Sequence, residues 1–147
     1  MPTRSILHAL AAALLATTGC YSAEEDDTQP ALTAELTCES GDPMIRTDLF
    51  FGMDRGDDPP VTQEEWEEFV DTVVTPRFED GLTQFDVDGQ YLASTGELIR
   101  EDSRLIMLLH DGGQAASDAI DAIREQYKQR FNQESVLRID EAVCVAF

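Results

Sequence analysis

Basic side chains are scarce in this sequence: nine Arg and one Lys stand against 30 Asp and Glu among 147 residues, for a formal net charge of −20. Such a chain repels phosphate backbones and anionic lipid surfaces, so it is not expected to bind nucleic acid. After residue 20, no stretch reaches the roughly 18 consecutive apolar residues that span a bilayer. The sequence also lacks a glycine-rich phosphate loop, a nucleophilic serine motif and His or Cys at metal-ligand spacing, so neither metal nor cofactor is expected.

The first twenty residues have the pattern of an export signal. A positive start, Met1–Arg4, precedes the apolar stretch Ile6–Ala16 and the small residues that end at Gly19-Cys20. Gly19-Cys20 resembles a bacterial lipobox, although Thr17 stands where that motif usually has Leu. The resemblance predicts a signal peptide over residues 1–19 and lipidation of Cys20. Ordinary cleavage near Ala23 and a retained anchor helix remain alternatives.

Residues 20–37 are predicted to form a disordered acidic tether. They contain the run Glu24-Glu25-Asp26-Asp27 and show no apolar periodicity, so they bury too little surface to offset the entropy of ordering. The lipobox resemblance implies a lipid-anchored protein of the cell envelope that faces the periplasm. Tyr21 in place of Asp after the cysteine resembles the pattern of outer-membrane sorting, and contact with a membrane is expected only through the lipid.

Lipidation of Cys20 would leave two cysteines, Cys38 and Cys144, one near each end of the remaining chain. Disulfides persist in exported proteins, so this pair predicts a bridge. The alternative is a thiol–imidazole catalytic pair with His110, the one histidine after the signal.

Residues 38–147 show the hydrophobic periodicity of four strands and two helices. Thr62 and Glu65 form a capping box at the start of the first helix, and Pro76 is predicted to end it. Asp88-Gly89 predicts a hairpin turn, with residues 91–92 as a short return strand. The predicted ranges are strands 44–53, 82–87, 98–110 with a break at 101–102, and 135–147 with a bend at 140–141, and helices 62–75 and 114–132.

The order strand, helix, strand, strand, helix, strand predicts one α+β domain of the ferredoxin-like βαββαβ arrangement, a four-stranded antiparallel sheet with two helices on one face. Right-handed crossovers place the last strand antiparallel beside the first. Cys38 and Cys144 then lie at adjacent strand ends, so the topology supports their pairing.

Two helices cover only one face of such a sheet, yet the central strand is apolar on both faces. Met44 and Phe50 also alternate away from the Ile45/Leu49 face. Something must cover the second face. A sheet-to-sheet homodimer is the first expectation, and the segment 90–97 folding over the sheet or a ligand groove are the alternatives.

Two sets of polar residues are candidates for chemistry. His110, followed by Asp111 and two glycines, is a candidate general base. Arg77, Arg100 and Arg104 are candidates for binding a carboxylate or phosphate group, with pairing to local acidic side chains as the alternative.

Several segments, in order along residues 44–147, resemble the bacterial domain of unknown function 3574 family. They are Asp48-Leu-Phe-Phe-Gly52, Glu65-Trp66, Thr75-Pro-Arg-Phe78, Asp80-Gly-Leu82, Gly89-Gln90, Ile99-Arg-Glu101, Leu108-Leu-His110, Gln133-Glu-Ser-Val136 and Cys144-Val-Ala-Phe147. The resemblance implies a small exported protein or lipoprotein and carries no activity. Within the matched segments, only Thr75-Pro76-Arg77 and His110 are chemically suggestive.

The sequence therefore predicts a non-catalytic binding or self-association module of the cell envelope. The alternative is an enzyme acting on a small acid or ester through His110 with Arg77 or Arg100. The enzyme requires these side chains to converge on one pocket.

Overall fold

The computed structural model describes residues 36–56, 58–92 and 95–147. The predicted signal peptide, Cys20 and the tether as far as residue 35 lie outside the described residues. The elements are β1 (Asp42–Gly52), α1 (Gln63–Phe69), β2 (Thr83–Leu92), β3 (Leu98–His110), α2 (Gln114–Phe131) and β4 (Leu137–Val145). None of these described helices is long and apolar enough to cross a membrane.

The four strands form one antiparallel sheet in the order β2-β3-β1-β4. Thr47 of β1 lies between Leu108 of β3 and Asp140 of β4, which fixes the register at the centre of the sheet. Both helices pack on one face. The ferredoxin-like βαββαβ prediction is confirmed, together with its antiparallel pairing of the first and last strands.

Helix α1 begins at the predicted capping box. The Glu65 N–H donates to Thr62 Oγ1 (3.2 Å), and the Thr62 N–H donates to Glu65 Oε2 (2.9 Å). Beyond Phe69 the helix widens into a π-helical turn, Val70–Val74, and closes in a 3-10 turn, Thr75–Arg77. Pro76 therefore lies inside the last turn and does not end the helix before it. Proline has no N–H to donate, so Pro76 fits at the start of the 3-10 turn, where the hydrogen-bonding pattern of the helix changes.

The hairpin between β2 and β3 is longer than predicted. The turn expected at Asp88-Gly89 is wrong, because β2 continues to Leu92 and Gly89 pairs with Glu101 in the middle of the ladder. The break at 101–102 and the bend at 140–141 are also wrong, since β3 and β4 run without interruption. Residues 90–92 belong to β2 and do not fold over the sheet. For these residues, the expectation that the segment 90–97 covers the second face of the sheet is therefore wrong.

Aromatic side chains fill the space between the sheet and the helices. Tyr127 of α2 lies at the centre, with its ring centroid 4.7 Å from Phe51, 5.1 Å from Phe69 and 4.8 Å from Phe131. Its hydroxyl donates to the Gly52 carbonyl (2.8 Å), so the one polar atom of this ring has a partner.

The predicted disulfide is confirmed. Cys38 and Cys144 are bonded, with their Cα atoms 5.6 Å apart. Cys144 lies opposite Pro43 in the β1–β4 ladder, so the bridge closes the end of the sheet where β1 begins and β4 ends.

Candidate functional site

A cavity of about 890 Å³ opens at the end of the sheet where β1 and β2 begin and β3 ends. The first turns of α2 and the segment that leads from α1 to β2 complete its wall. Its volume falls within the range of small-molecule sites in proteins. Its apolar lining consists of Met44, Phe78, Leu82, Met107, Leu109, Phe147 and three alanines of α2, Ala115, Ala116 and Ala119.

Two of the four candidate residues line this cavity, and two do not. His110 and Arg77 are both in its wall. Arg104 instead forms an ion pair with Asp86 and donates to Gln63 (2.8 Å), which ties β3 to β2 and α1. Arg100 donates to Gln90 (3.1 Å) across the hairpin. The structure therefore brings together His110 and Arg77. Arg104 makes the acidic pairing that is the alternative to an anion site, whereas the contact of Arg100 is with the amide of Gln90.

Both ring nitrogens of His110 are engaged within the protein. Its Nδ1 accepts from the Gly112 N–H (3.1 Å), so the ring proton of the neutral imidazole lies on Nε2. Nε2 is 2.8 Å from Thr47 Oγ1, and the Thr47 hydroxyl donates to Asp140 Oδ1 (2.5 Å). A continuous hydrogen-bonded chain thus runs from β3 across β1 to β4.

Burial lowers the pKa of His110, and the nearby Asp140 carboxylate opposes this shift. The imidazole is consequently neutral at neutral pH. With both nitrogens occupied, His110 is not placed to take a proton from a molecule in the cavity. The carboxylate of Asp111, the neighbouring acidic residue, accepts a hydrogen bond from the Gly113 N–H (3.0 Å). The side-chain partner of the imidazole is the Thr47 hydroxyl. His110 therefore has a structural role: through Thr47 it links β3 to β1 and β4 by hydrogen bonds.

Sequence reasoning missed Thr47 and Asp140. Thr47 is fully buried on the same face of β1 as Ile45 and Leu49. A hydroxyl within an apolar alternating pattern indicates a buried hydrogen bond, because an unpaired polar group there costs free energy. The buried position of Thr47 could therefore be inferred from the sequence. Its partner Asp140 could be identified only from the register of β1 with β4.

Arg77 has a structural contact of its own. Its Nη1 donates to the Val73 carbonyl (2.6 Å), one of the carbonyls near the end of the first helical segment. The rest of the residue is exposed at the rim of the cavity, beside the exposed carboxylates of Glu79 and Asp80.

The sheet face opposite the helices, here called the open face, carries exposed apolar side chains. Phe85, Leu137 and Ile139 are 47%, 56% and 48% exposed. At its centre, Arg46 donates from Nε (2.9 Å) and Nη2 (2.5 Å) to the two carboxylate oxygens of Asp48. At the end of the sheet, Met44, Met107 and Leu109 of this face also line the cavity.

Among the described residues, no group of three or more His, Cys, Asp or Glu side chains is arranged to hold a metal ion.

Solved structures that resemble the chain share its fold. A phage SAM lyase in complex with S-methyl-5'-thioadenosine has a TM-score of 0.53 at 20% identity, covering 75% of this chain and 96% of that chain. A phage SAM lyase in the apo state gives 0.50 at 21%, covering 76% and 98%. CutA1 from Oryza sativa gives 0.48 at 10%, covering 71% and 84%. At these identities, the two SAM lyase structures show the fold alone.

No curated protein matches the chain in sequence. A family pattern, in contrast, matches residues 46–147, nearly the whole of the sheet, both helices and the cavity wall. This agrees with the resemblance seen in the sequence. The chain belongs to the family described as protein of unknown function (DUF3574).

Proposed function

We propose that this protein is a non-catalytic interaction module of the cell envelope that self-associates through the open face of its sheet. The observation that carries the proposal is the unpartnered apolar surface of Phe85, Leu137 and Ile139 beside the half-buried Phe50 and Met107. Contiguous apolar surface of this kind marks interaction sites on folded proteins. The other face of the same sheet carries the helices and the core.

The size of the open face suits a second copy of the same chain. Four strands about 4.8 Å apart, each about eight residues long at about 3.4 Å per residue, present about 500 Å². Two such faces together hide about 1,000 Å², the lower bound of specific protein interfaces. Face-to-face sheets with interdigitated side chains are a regular packing mode.

The Arg46–Asp48 pair is compatible with burial in this interface. Its two hydrogen bonds satisfy both carboxylate oxygens within one chain, so a partner would cover a pair that is already closed. Loss of one member would leave a buried unpaired charge, which is costly. The pair, with Glu141 opposite Arg46 on the same face, thus adds charged groups that a partner must match.

The enzyme alternative is less well supported. His110 and Arg77 do line one cavity, but each has a structural hydrogen bond, and both nitrogens of His110 are occupied. The resemblance to a phage SAM lyase is one of fold, so it carries no activity to this chain. Incubation of the purified protein with S-adenosylmethionine gives a direct check: release of S-methyl-5'-thioadenosine would overturn the non-catalytic proposal.

The proposal includes the anchor predicted from the sequence: a signal peptide over residues 1–19, lipidation of Cys20 and a tether that reaches the folded domain at Cys38. Anchored copies diffuse in two dimensions, which raises their effective concentration for each other. The mass of the mature N-terminus tests this, and an unmodified Cys20 would contradict it. A periplasm-facing location in the outer membrane is tested by membrane fractionation, with Cys20→Ser as the variant expected to become soluble.

Self-association is tested by sedimentation velocity on the mature chain. Leu137→Asp places a charge on the open face, whereas Leu98→Asp changes a leucine of similar exposure (44%) that alternates to the other face of β3. We expect a dimer that Leu137→Asp weakens about tenfold or more while Leu98→Asp leaves it unchanged. A wild-type protein that stays monomeric at about 100 μM, or equal effects of the two variants, would contradict the proposal.

A further inference from the structure

The cavity at the end of the sheet shares Met44, Met107 and Leu109 with the open face, while the rest of its lining comes from the segment before β2, the first turns of α2 and the chain end. We propose that it binds a small organic cation with an apolar or aromatic body. The inference stands on the chemistry of the cavity lining.

The size and apolar lining of the cavity suit a small molecule. Its volume of about 890 Å³ is near the upper end of the range for ligand sites. The half-buried side chains of Met44, Met107 and Leu109 form one wall, and Phe78 forms another. Ala119 of α2 leaves the space between these walls open. An apolar body of one ring or a short alkyl group would remove this surface from water.

The aromatic and thioether groups favour a cationic ligand. Phe78 lines the cavity and is half-buried there, and the face of a phenyl ring attracts an organic cation. Met44 and Met107 contribute polarisable sulfur on flexible side chains, which adapt to ligands of irregular shape. The aromatic and thioether groups belong to one lining, so the same ligand would contact them with both its apolar body and its charged group.

The charges at the rim also favour a cation. Glu79, Asp80 and Asp111 line the cavity, against the single guanidinium of Arg77. Arg77 is partly engaged by the Val73 carbonyl, and His110 is held neutral by burial. The chain as a whole has a net charge of −20, so the long-range field attracts cations as well.

The ligand class is tested with three probes that share an aromatic ring: benzyltrimethylammonium, benzyl alcohol and phenylacetate. Binding to the mature, disulfide-intact protein is measured by NMR titration or calorimetry at low salt. We expect the cation to bind about tenfold or more tightly than either of the other two, and its affinity to fall as salt is added. A preference for phenylacetate would overturn the proposal, because it would show that the guanidinium of Arg77 determines the charge of the ligand. The absence of binding by all three probes would also overturn it.

The location is tested with a matched pair of variants on α2. Ala119→Phe fills the cavity, whereas Ala122→Phe makes the same change three residues later, outside the lining. Ala119→Phe should weaken benzyltrimethylammonium binding about tenfold or more, and Ala122→Phe should leave it unchanged. Equal effects of the two variants would overturn the assigned location.

A second pair of substitutions keeps the test valid if Ala119→Phe fails to fold. Asp80→Asn with Asp111→Asn removes two rim charges with little change in shape. These changes should reduce the affinity for the cation and leave that for benzyl alcohol unchanged, and an unchanged cation affinity would overturn the proposal. Leu137→Asp serves as the remaining control: it lies outside the lining, so it should bind the cation at least as tightly as the wild type where it disrupts self-association.

Discussion

Removal of the Cys38–Cys144 disulfide should destabilise the domain strongly. The bridge spans 106 residues of sequence and closes nearly the whole described chain into one loop. Cys144 is exposed and Cys38 only half-buried, so their replacement removes little packing. The main effect is therefore expected in the unfolded chain, which regains the conformational freedom that the bridge removes.

The magnitude follows from the loop length. The loop-entropy relation gives about 4.7 kcal/mol for a loop of about 100 residues. A single domain has about 5–15 kcal/mol of stability in total, so this loss is a large fraction of it. Native strain and residual structure in the unfolded state usually reduce the value, and a measured loss of about 3–5 kcal/mol is expected.

Urea unfolding of the mature protein, oxidised and after reduction, measures this loss. A Cys38→Ser/Cys144→Ser double variant should match the reduced wild type, because both lack the same constraint. Far-UV circular dichroism in the absence of urea should stay close to that of the oxidised protein wherever the domain remains folded. A loss below about 1 kcal/mol would refute the loop-closure reasoning, since it would mean that the unfolded chain gains little freedom.

Three further outcomes follow from the hydrogen bonds of the core. Thr47→Val should cost about 1–3 kcal/mol in urea unfolding, because it leaves His110 Nε2 and Asp140 without their shared partner, and Thr47→Ser should retain most of that stability. Because the pKa of His110 is lowered in the folded state, the unfolded chain binds more protons near the ordinary histidine pKa of about 6.5. Stability should therefore be constant above that pH and fall as the pH decreases through it, whereas His110→Gln should show a flatter dependence in the same range. Tyr127→Phe should cost about 1 kcal/mol through the unpaired Gly52 carbonyl, and a thermal melt that is unchanged would contradict that assignment.

The features that sequence alone could predict were those with local causes or strong topological rules. The capping box of Thr62 and Glu65 depends on residues three apart, so it is readable in the sequence and is present in the structure. The pairing of Cys38 with Cys144 follows once the strand order is known, because ferredoxin-like topology makes the first and last strands neighbours.

The length of the hairpin was not predictable from its pattern. Strands β1 and β3 pair only as far as Ser103, so the far half of the β2–β3 hairpin extends beyond the rest of the sheet. Side chains there are largely exposed on both faces, and an alternating apolar pattern arises only where one face is buried. Asp88-Gly89 consequently had the composition of a turn while lying within a strand.

The candidate site was predictable only in part, since its contacts join distant parts of the chain. His110 and Arg77 were identified as polar residues of interest, and they do share a cavity. The role of His110, however, depends on Thr47, 63 residues away from it, and on Asp140, which is 93 residues away from Thr47. Such a chain of hydrogen bonds becomes visible only when the register of β1 with both neighbours is fixed.

The disulfide and the cavity lie at the same end of the sheet, and this links stability to the proposed ligand site. Met44 of the cavity wall follows Pro43, which is paired with Cys144, and His110 at the end of β3 lies opposite Ile45. The bridge therefore holds the strand ends from which one wall of the cavity is built. The open face uses the same strands, since Met107 of the cavity wall is paired with Asp48, whose other neighbour is Ile139. Opening of the disulfide is accordingly expected to disturb the cavity first at Met44, because strand ends separate more readily than the middle of a ladder.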